Sequence, residues 1–156
     1  MKNQIHFLLA FLLLALLSAC KGVENIQFKG VDEVVFKGME NNKISFSANI
    51  GIINPSSVGF KVSEVNLKTS IDGSYIGTLT ADDVVKIHAK SDSSYQMNFS
   101  LELANLLTGA STLYNMTRKK QVIVEMQGYV RARSWFTFKE VDVNEKRLID
   151  VPSLNR

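Results

Sequence analysis

Over residues 44–52 the chain alternates without a break. Ile44, Phe46, Ala48, Ile50 and Ile52 are apolar, and Ser45, Ser47, Asn49 and Gly51 stand between them. A two-residue period puts one set of side chains on each face of an extended strand, so this segment belongs in a sheet with one buried face. Asn54-Pro55 closes the run, because proline offers no ladder donor and restricts the residue before it. The same period returns along most of the chain. Phe60 and Val62 share one parity while Val65, Leu67, Thr69 and Ile71 share the other, which predicts a bulge or bend near Ser63-Glu64. Asp72-Gly73 separates two such runs and predicts a tight hairpin. Alternation continues at Val85, Ile87 and Ala89, passes a polar turn over residues 91–94, and resumes at Tyr95, Met97, Phe99 and Leu101. It reappears at Val122, Val124, Met126, Val130 and Ala132. Residues 27–37 predict an earlier strand or two, with Phe28, Val34 and Phe36 as core candidates. One segment departs from this period: Leu103, Leu106, Leu107 and Ala110, continued by Leu113 and Tyr114, follow helical spacing. A short helix is predicted there, interrupted at Gly109. Seven to eight strands with one short helix predict an all-β fold, and phase shifts within long strands favour a β-sandwich.

The N-terminus reads differently. Met1 and Lys2 precede an apolar run over residues 5–17 broken only by His6, the layout of a secretory signal and too short for a comfortable membrane span, which needs ~20 apolar residues. The run ends in Leu17-Ser18-Ala19-Cys20, which resembles a bacterial lipobox residue for residue. That resemblance implies a diacylglycerol thioether on Cys20, cleavage before it and acylation of the freed amine. It divides the chain into a signal peptide with its helix (1–19), a lipidated cysteine with a short tether (20–25) and one domain (26–152). The expected partner is membrane lipid held through acylated Cys20, with other envelope proteins close by. Lys21 follows Cys20 where some bacteria place an aspartate that retains lipoproteins in the inner membrane, so the outer membrane is the expected location. Cys20 is also the only cysteine. No disulfide is therefore available, and packing must stabilise the domain.

The side chains that carry chemistry are sparse. With 18 Lys plus Arg against 15 Asp plus Glu, the charge balance is too mild for a dedicated nucleic-acid binder. His88 is the one histidine outside the signal peptide, so no nucleophile–base pair can form around a second one. No Gly-x-Ser-x-Gly elbow and no glycine-rich phosphate loop occurs. The acidic residues Asp32-Glu33, Asp82-Asp83, Asp142 and Glu145 read as solvated turns and edges, because neighbouring acids on a strand point to opposite faces. Neither an enzyme, a metal nor a cofactor is expected. Basic residues gather at Arg118-Lys119-Lys120, Arg131, Arg133 and Lys146-Arg147. These read as solvated loops and guarded edge strands, with Arg118, Lys119 and Lys120 as the candidate contacts to anionic headgroups, each worth ~1 kcal/mol near a charged bilayer.

Ile50-Gly51-Ile52-Ile53-Asn54-Pro55, then Val65-Asn66-Leu67 and Asp72-Gly73-Ser74-Tyr75-Ile76-Gly77, resemble the late-embryogenesis-abundant type 2 family, the water-stress and hypersensitive-response domain. The family pattern is an alternating strand ending in Asn-Pro, followed by a strand pair around a glycine turn. The resemblance implies an immunoglobulin- or fibronectin-III-like sandwich and a non-catalytic role in stress protection or interaction, with no catalytic residues to transfer. The sequence thus reads as an envelope lipoprotein with a protective or interaction module. The alternative is a periplasmic carrier of lipid or other apolar ligands, with Phe28, Phe46, Phe60, Phe99 and Phe136 lining an opening between sheets.

Overall fold

The computed structural model describes residues 25–135 and 137–151. Its elements are β1 (Gln27–Glu40), β2 (Lys43–Asn54), β3 (Phe60–Ile71), β4 (Ser74–Ala81), β5 (Val85–Ile87), β6 (Ser91–Leu103), α1 (Leu106–Met116), β7 (Gln121–Arg133) and β8 (Phe138–Asp150). The expected all-β fold of seven to eight strands and one short helix is what the chain adopts, with eight strands among the described residues. All pairings are antiparallel, in the order β1-β2-β6-β4-β3-β7-β8, with β5 on the free side of β3.

Two-layer packing arises within this one hydrogen-bonded sheet. β4 has only eight residues and joins Asn66–Ile71 of β3 to Phe99–Leu103 of β6. Beyond β4 the two longer strands diverge, and their inner faces pack on each other. Ala48, Ile52, Tyr95 and Met97 from one side meet Phe60, Val62, Val65 and Ile87 from the other in a single buried cluster. A second cluster of Ile71, Ile76, Leu101, Leu103 and Val122 fills the opposite end. Burying a large aliphatic side chain contributes about 1.5–3 kcal/mol, so these two clusters carry the stability of a domain without disulfides.

Local rules explain most elements. The register of β3 on β7 slips between Val62 and Glu64, the bulge expected at the parity change. Asp72 and Gly73 both take positive φ (49° and 80°), the conformation a two-residue hairpin demands. Asn105 caps α1, its side-chain oxygen accepting from the amides of Leu107 (2.9 Å) and Thr108 (3.2 Å).

Four expectations are corrected. Residues 91–94 do not form a turn but begin β6, pairing with residues 51–54 of β2. Gly109 does not interrupt α1; it is the buried contact of the helix, seated against the Leu103 side chain. Leu106 and Leu107, assigned to the buried face, point to solvent instead. Phe28, Val34 and Phe36 are not core residues: they are 58%, 63% and 66% exposed. Their parity is right, since they lie opposite Ile52, Ala48 and Phe46. However, β1 is the outermost strand, and nothing in the described chain covers its inner face.

Candidate functional site

The antiparallel registers sort the connections into two ends. One end holds Asn25 and Ile26 before β1, the β2–β3 loop, β5, the start of β6 and the β7–β8 turn. The other holds the β1–β2 turn, the β3–β4 hairpin, α1 and residues 117–120.

At the first end, Asn54 organises the loops. It is fully buried, and its amide group donates to the carbonyls of Val58 (3.0 Å) and His88 (2.8 Å) while accepting from the Ser56 amide (3.1 Å). The Asn-Pro step thus ties the β2–β3 loop to the β5–β6 connection, which is a structural role. His88 is exposed and stacks on Tyr95 at 6.2 Å between ring centroids.

Three cations meet at this end. Lys61 of β3 lies directly opposite Lys86 of β5 on one side and Arg133 of β7 on the other. Opposite residues of an antiparallel pair share a face. Lys61 sits between the inward-facing Phe60 and Val62, so the row Lys86–Lys61–Arg133 crosses three adjacent strands on the outer face. Among the described residues none of the three forms an ion pair. Just beyond, the amide of Ser134 donates to the Thr137 carbonyl (2.8 Å) and closes the β7–β8 turn. Trp135 stands on that turn, 90% exposed, flanked by Phe138 and Val84 at 69% and 59%. A cleft of about 630 Å³ runs between Val84, Lys61, Lys86, Arg133 and Trp135.

A polar network adjoins this row. The Arg131 guanidinium bridges Glu64 and Glu140, stands 5.2 Å over the Tyr129 ring, and shares Glu64 with the Tyr129 hydroxyl. The Tyr129 phenol is pushed above its ordinary range, first by its hydrogen bond to the Glu64 carboxylate. The hydrogen bond to Glu140 holds the Arg131 guanidinium more firmly protonated. Both terminal nitrogens of Arg131 are therefore engaged within the protein, while its Nε is buried without a hydrogen-bond partner among the described residues.

The candidate headgroup contacts Arg118, Lys119 and Lys120 lie at the other end. Arg118 stacks over Tyr114 at 5.8 Å. Lys119 pairs with Asp72 at 2.6 Å, and Asp72 also accepts from the Ile123 amide at 2.9 Å. These two bonds, that to Lys119 being the stronger influence, hold the Asp72 carboxyl below its usual range. Lys146 and Arg147 pair with Glu125 and Glu145. Among the described residues no three His, Cys, Asp or Glu side chains converge as metal ligands, and no helix is long and apolar enough to cross a membrane. Leu17, Ser18, Ala19 and Cys20 lie outside the described residues.

Of the aromatics assigned to a carrier opening, Phe46 and Phe99 stack at 5.6 Å and Phe60 is buried in the first cluster. Phe28 faces solvent, and Phe136 lies outside the described residues. Sequence reasoning missed Lys61, Lys86 and Trp135. A lone tryptophan in the polar stretch 131–137 was a visible signal, whereas the meeting of Lys61 and Lys86 exists only through strand register.

Comparison with known proteins gives a consistent frame. The LEA_2 family model, described as late embryogenesis abundant protein, matches residues 49–147. No curated protein sequence matches the chain significantly. A crystal structure of a protein from Archaeoglobus fulgidus superposes with a TM-score of 0.53 at 9% identity, covering 81% of this chain and 98% of the other. That likeness bears on the fold alone. More distant is a solution structure of an Arabidopsis thaliana protein, with 15% identity, a TM-score of 0.44, and coverage of 87% of this chain and 90% of the other. A solution structure of a late embryogenesis abundant protein gives 13% identity and a TM-score of 0.40 over 85% of this chain and 74% of the other.

Proposed function

The chain belongs to the late embryogenesis abundant protein family, and from that premise we propose that it is an envelope lipoprotein, anchored through Cys20, whose domain protects other proteins under stress by binding them without catalysis. One observation carries the reading. Phe28, Val31, Val34, Phe36 and Met39 of β1 lie opposite Ile52, Ile50, Ala48, Phe46 and Ile44 of β2. Three register shifts along β1 keep this apolar row on the inner face despite its uneven spacing. Each of the five is half to two-thirds exposed. Among the described residues no strand pairs with the outer edge of β1, which leaves ladder groups beside that row, a combination suited to receiving an extended apolar segment. Proteins that lose structure on drying or heating expose such segments.

A labile enzyme dried or heated with the protein tests this. Wild type is expected to preserve activity, and the Val34→Lys/Phe36→Lys protein to lose that effect with an unchanged melting temperature. Equal protection by both would end the interaction reading. The anchor is tested separately: mass spectrometry should find acyl groups on Cys20, and Cys20→Ser protein should leave the membrane fraction.

A further inference from the structure

We propose that the end bearing Trp135 is the membrane-contacting end of the domain, with Lys86, Lys61 and Arg133 facing anionic phospholipid headgroups and Trp135 entering the interface beside them. The proposal rests on the anchor reading for its geometry and adds an orientation to it.

Three independent observations point to this end. First, the described chain begins here: Asn25 precedes β1, and Ile26 packs on the first core cluster. Cys20 is five residues away, a reach of at most about 17 Å even fully extended. The Arg118–Lys120 segment lies a strand length further off, about 40 Å for the 13 residues of β7. An anchored lipid tail therefore holds the Trp135 end against the bilayer more readily than the helix end.

Second, the Lys86–Lys61–Arg133 row puts like charges directly opposite each other across two strand pairs, an arrangement that weakens a sheet unless an anion lies over it. Among the described residues no carboxylate pairs with the row. A phospholipid surface supplies phosphates at the required place. Third, the apolar side chains beside the row suit an interface rather than water. Trp135 is 90% exposed, with Phe138 and Val84 close by. A tryptophan flanked by cations is the composition that settles at headgroup level, with its ring among the upper acyl carbons and its N–H toward water.

The chain contains a single tryptophan, so its fluorescence reports on this turn alone. The acylated protein, purified from bacterial membranes, is reconstituted in vesicles of phosphatidylethanolamine and phosphatidylglycerol. Trp135 emission is expected to shift to shorter wavelength than in the Cys20→Ser protein in buffer, and to be quenched by lipids brominated along the acyl chain. Lys61→Glu/Lys86→Glu/Arg133→Glu protein, checked for its fold by circular dichroism, should stay vesicle-bound through its acyl groups and lose both signals. Arg118→Glu/Lys120→Glu protein should keep them. Acylated, vesicle-bound protein whose Trp135 emission matches that in buffer would overturn the proposal and leave the anchor intact. If mass spectrometry shows no acyl group on Cys20, the anchor reading fails by itself. The orientation is then judged on unacylated protein mixed with the same vesicles: a salt-sensitive shift of Trp135 emission supports it, and an unchanged spectrum overturns it.

Discussion

At the scale of single residues, buried polar side chains add to what the apolar clusters supply. Asn54 shows why. Its amide uses both donor positions and its oxygen on three backbone groups, in a place without solvent. Asn54→Ala removes all three bonds; the His88 carbonyl keeps the Ser91 hydroxyl as a donor (2.7 Å), while the Val58 carbonyl and the Ser56 amide lose their partner, at ~1–3 kcal/mol for each group left unsatisfied. We expect a loss of about 3 kcal/mol or more, read as a lower urea midpoint with an unchanged slope. Asn54→Asp should be worse, because it keeps the acceptor for Ser56 but sets a carboxylate against two carbonyls. Asp72 gives a pH-dependent counterpart. Its carboxyl is held below the usual range by Lys119 and the Ile123 amide. A depressed folded-state pKa contributes stability above the unfolded value, near 3.9 for aspartate, and that contribution disappears as pH falls through the folded value. Wild type should therefore be more stable than Asp72→Asn at pH 6, with the difference shrinking from about pH 4 downward in thermal melts. A constant gap across that range would mean that the pair with Lys119 does not act as described.

Elements show where sequence reasoning succeeds and where it stops. The bulge near Ser63 was legible because a parity change is written in the order of residues. So was the Asp72-Gly73 hairpin, because positive φ at two successive positions demands particular residue types. Strand β1 was half legible. Phe28, Val34 and Phe36 belong to the inner face, as their assignment to the core implied, yet they are exposed because β1 lies outermost. Position within a sheet depends on pairings that no local pattern records. Helix α1 was legible as an element, but its buried face was misassigned for a different reason. Its largest apolar residues, Leu106 and Leu107, look outward, while Gly109 is the position pressed on Leu103. A close approach between helix and sheet selects a residue without a side chain, and hydrophobic spacing gives no weight to such a residue. The serines and aspartate at the start of β6 misled similarly: their turn-forming composition was overridden by a complete register with β2.

For the whole molecule, neither the strand order nor the two ends could be read from a single chain. Lys61 and Lys86 are remote in sequence and adjacent only because β5 returns beside β3. The short reach of β4 has a consequence for motion. Where β4 runs, ladder hydrogen bonds tie the two layers together. Past Ala81, toward Trp135, no strand pairs with both β6 and β3, and the layers are joined by side-chain packing and isolated hydrogen bonds, such as the His88 amide donating to the Tyr95 hydroxyl (3.2 Å). Proteins open locally where few such bonds must break, so the domain should breathe at that end. Met97 and Leu101 are buried alike, at 4% and 8% exposure, but Met97 lies past β4 and Leu101 is paired with Leu79. In a Cys20→Ser background, the thiol of Met97→Cys should react with a labelling reagent well before that of Leu101→Cys under native conditions, and equal rates would mean that the two layers part as one. If the proposed orientation holds, the bilayer lies beneath the part of the core that opens most easily.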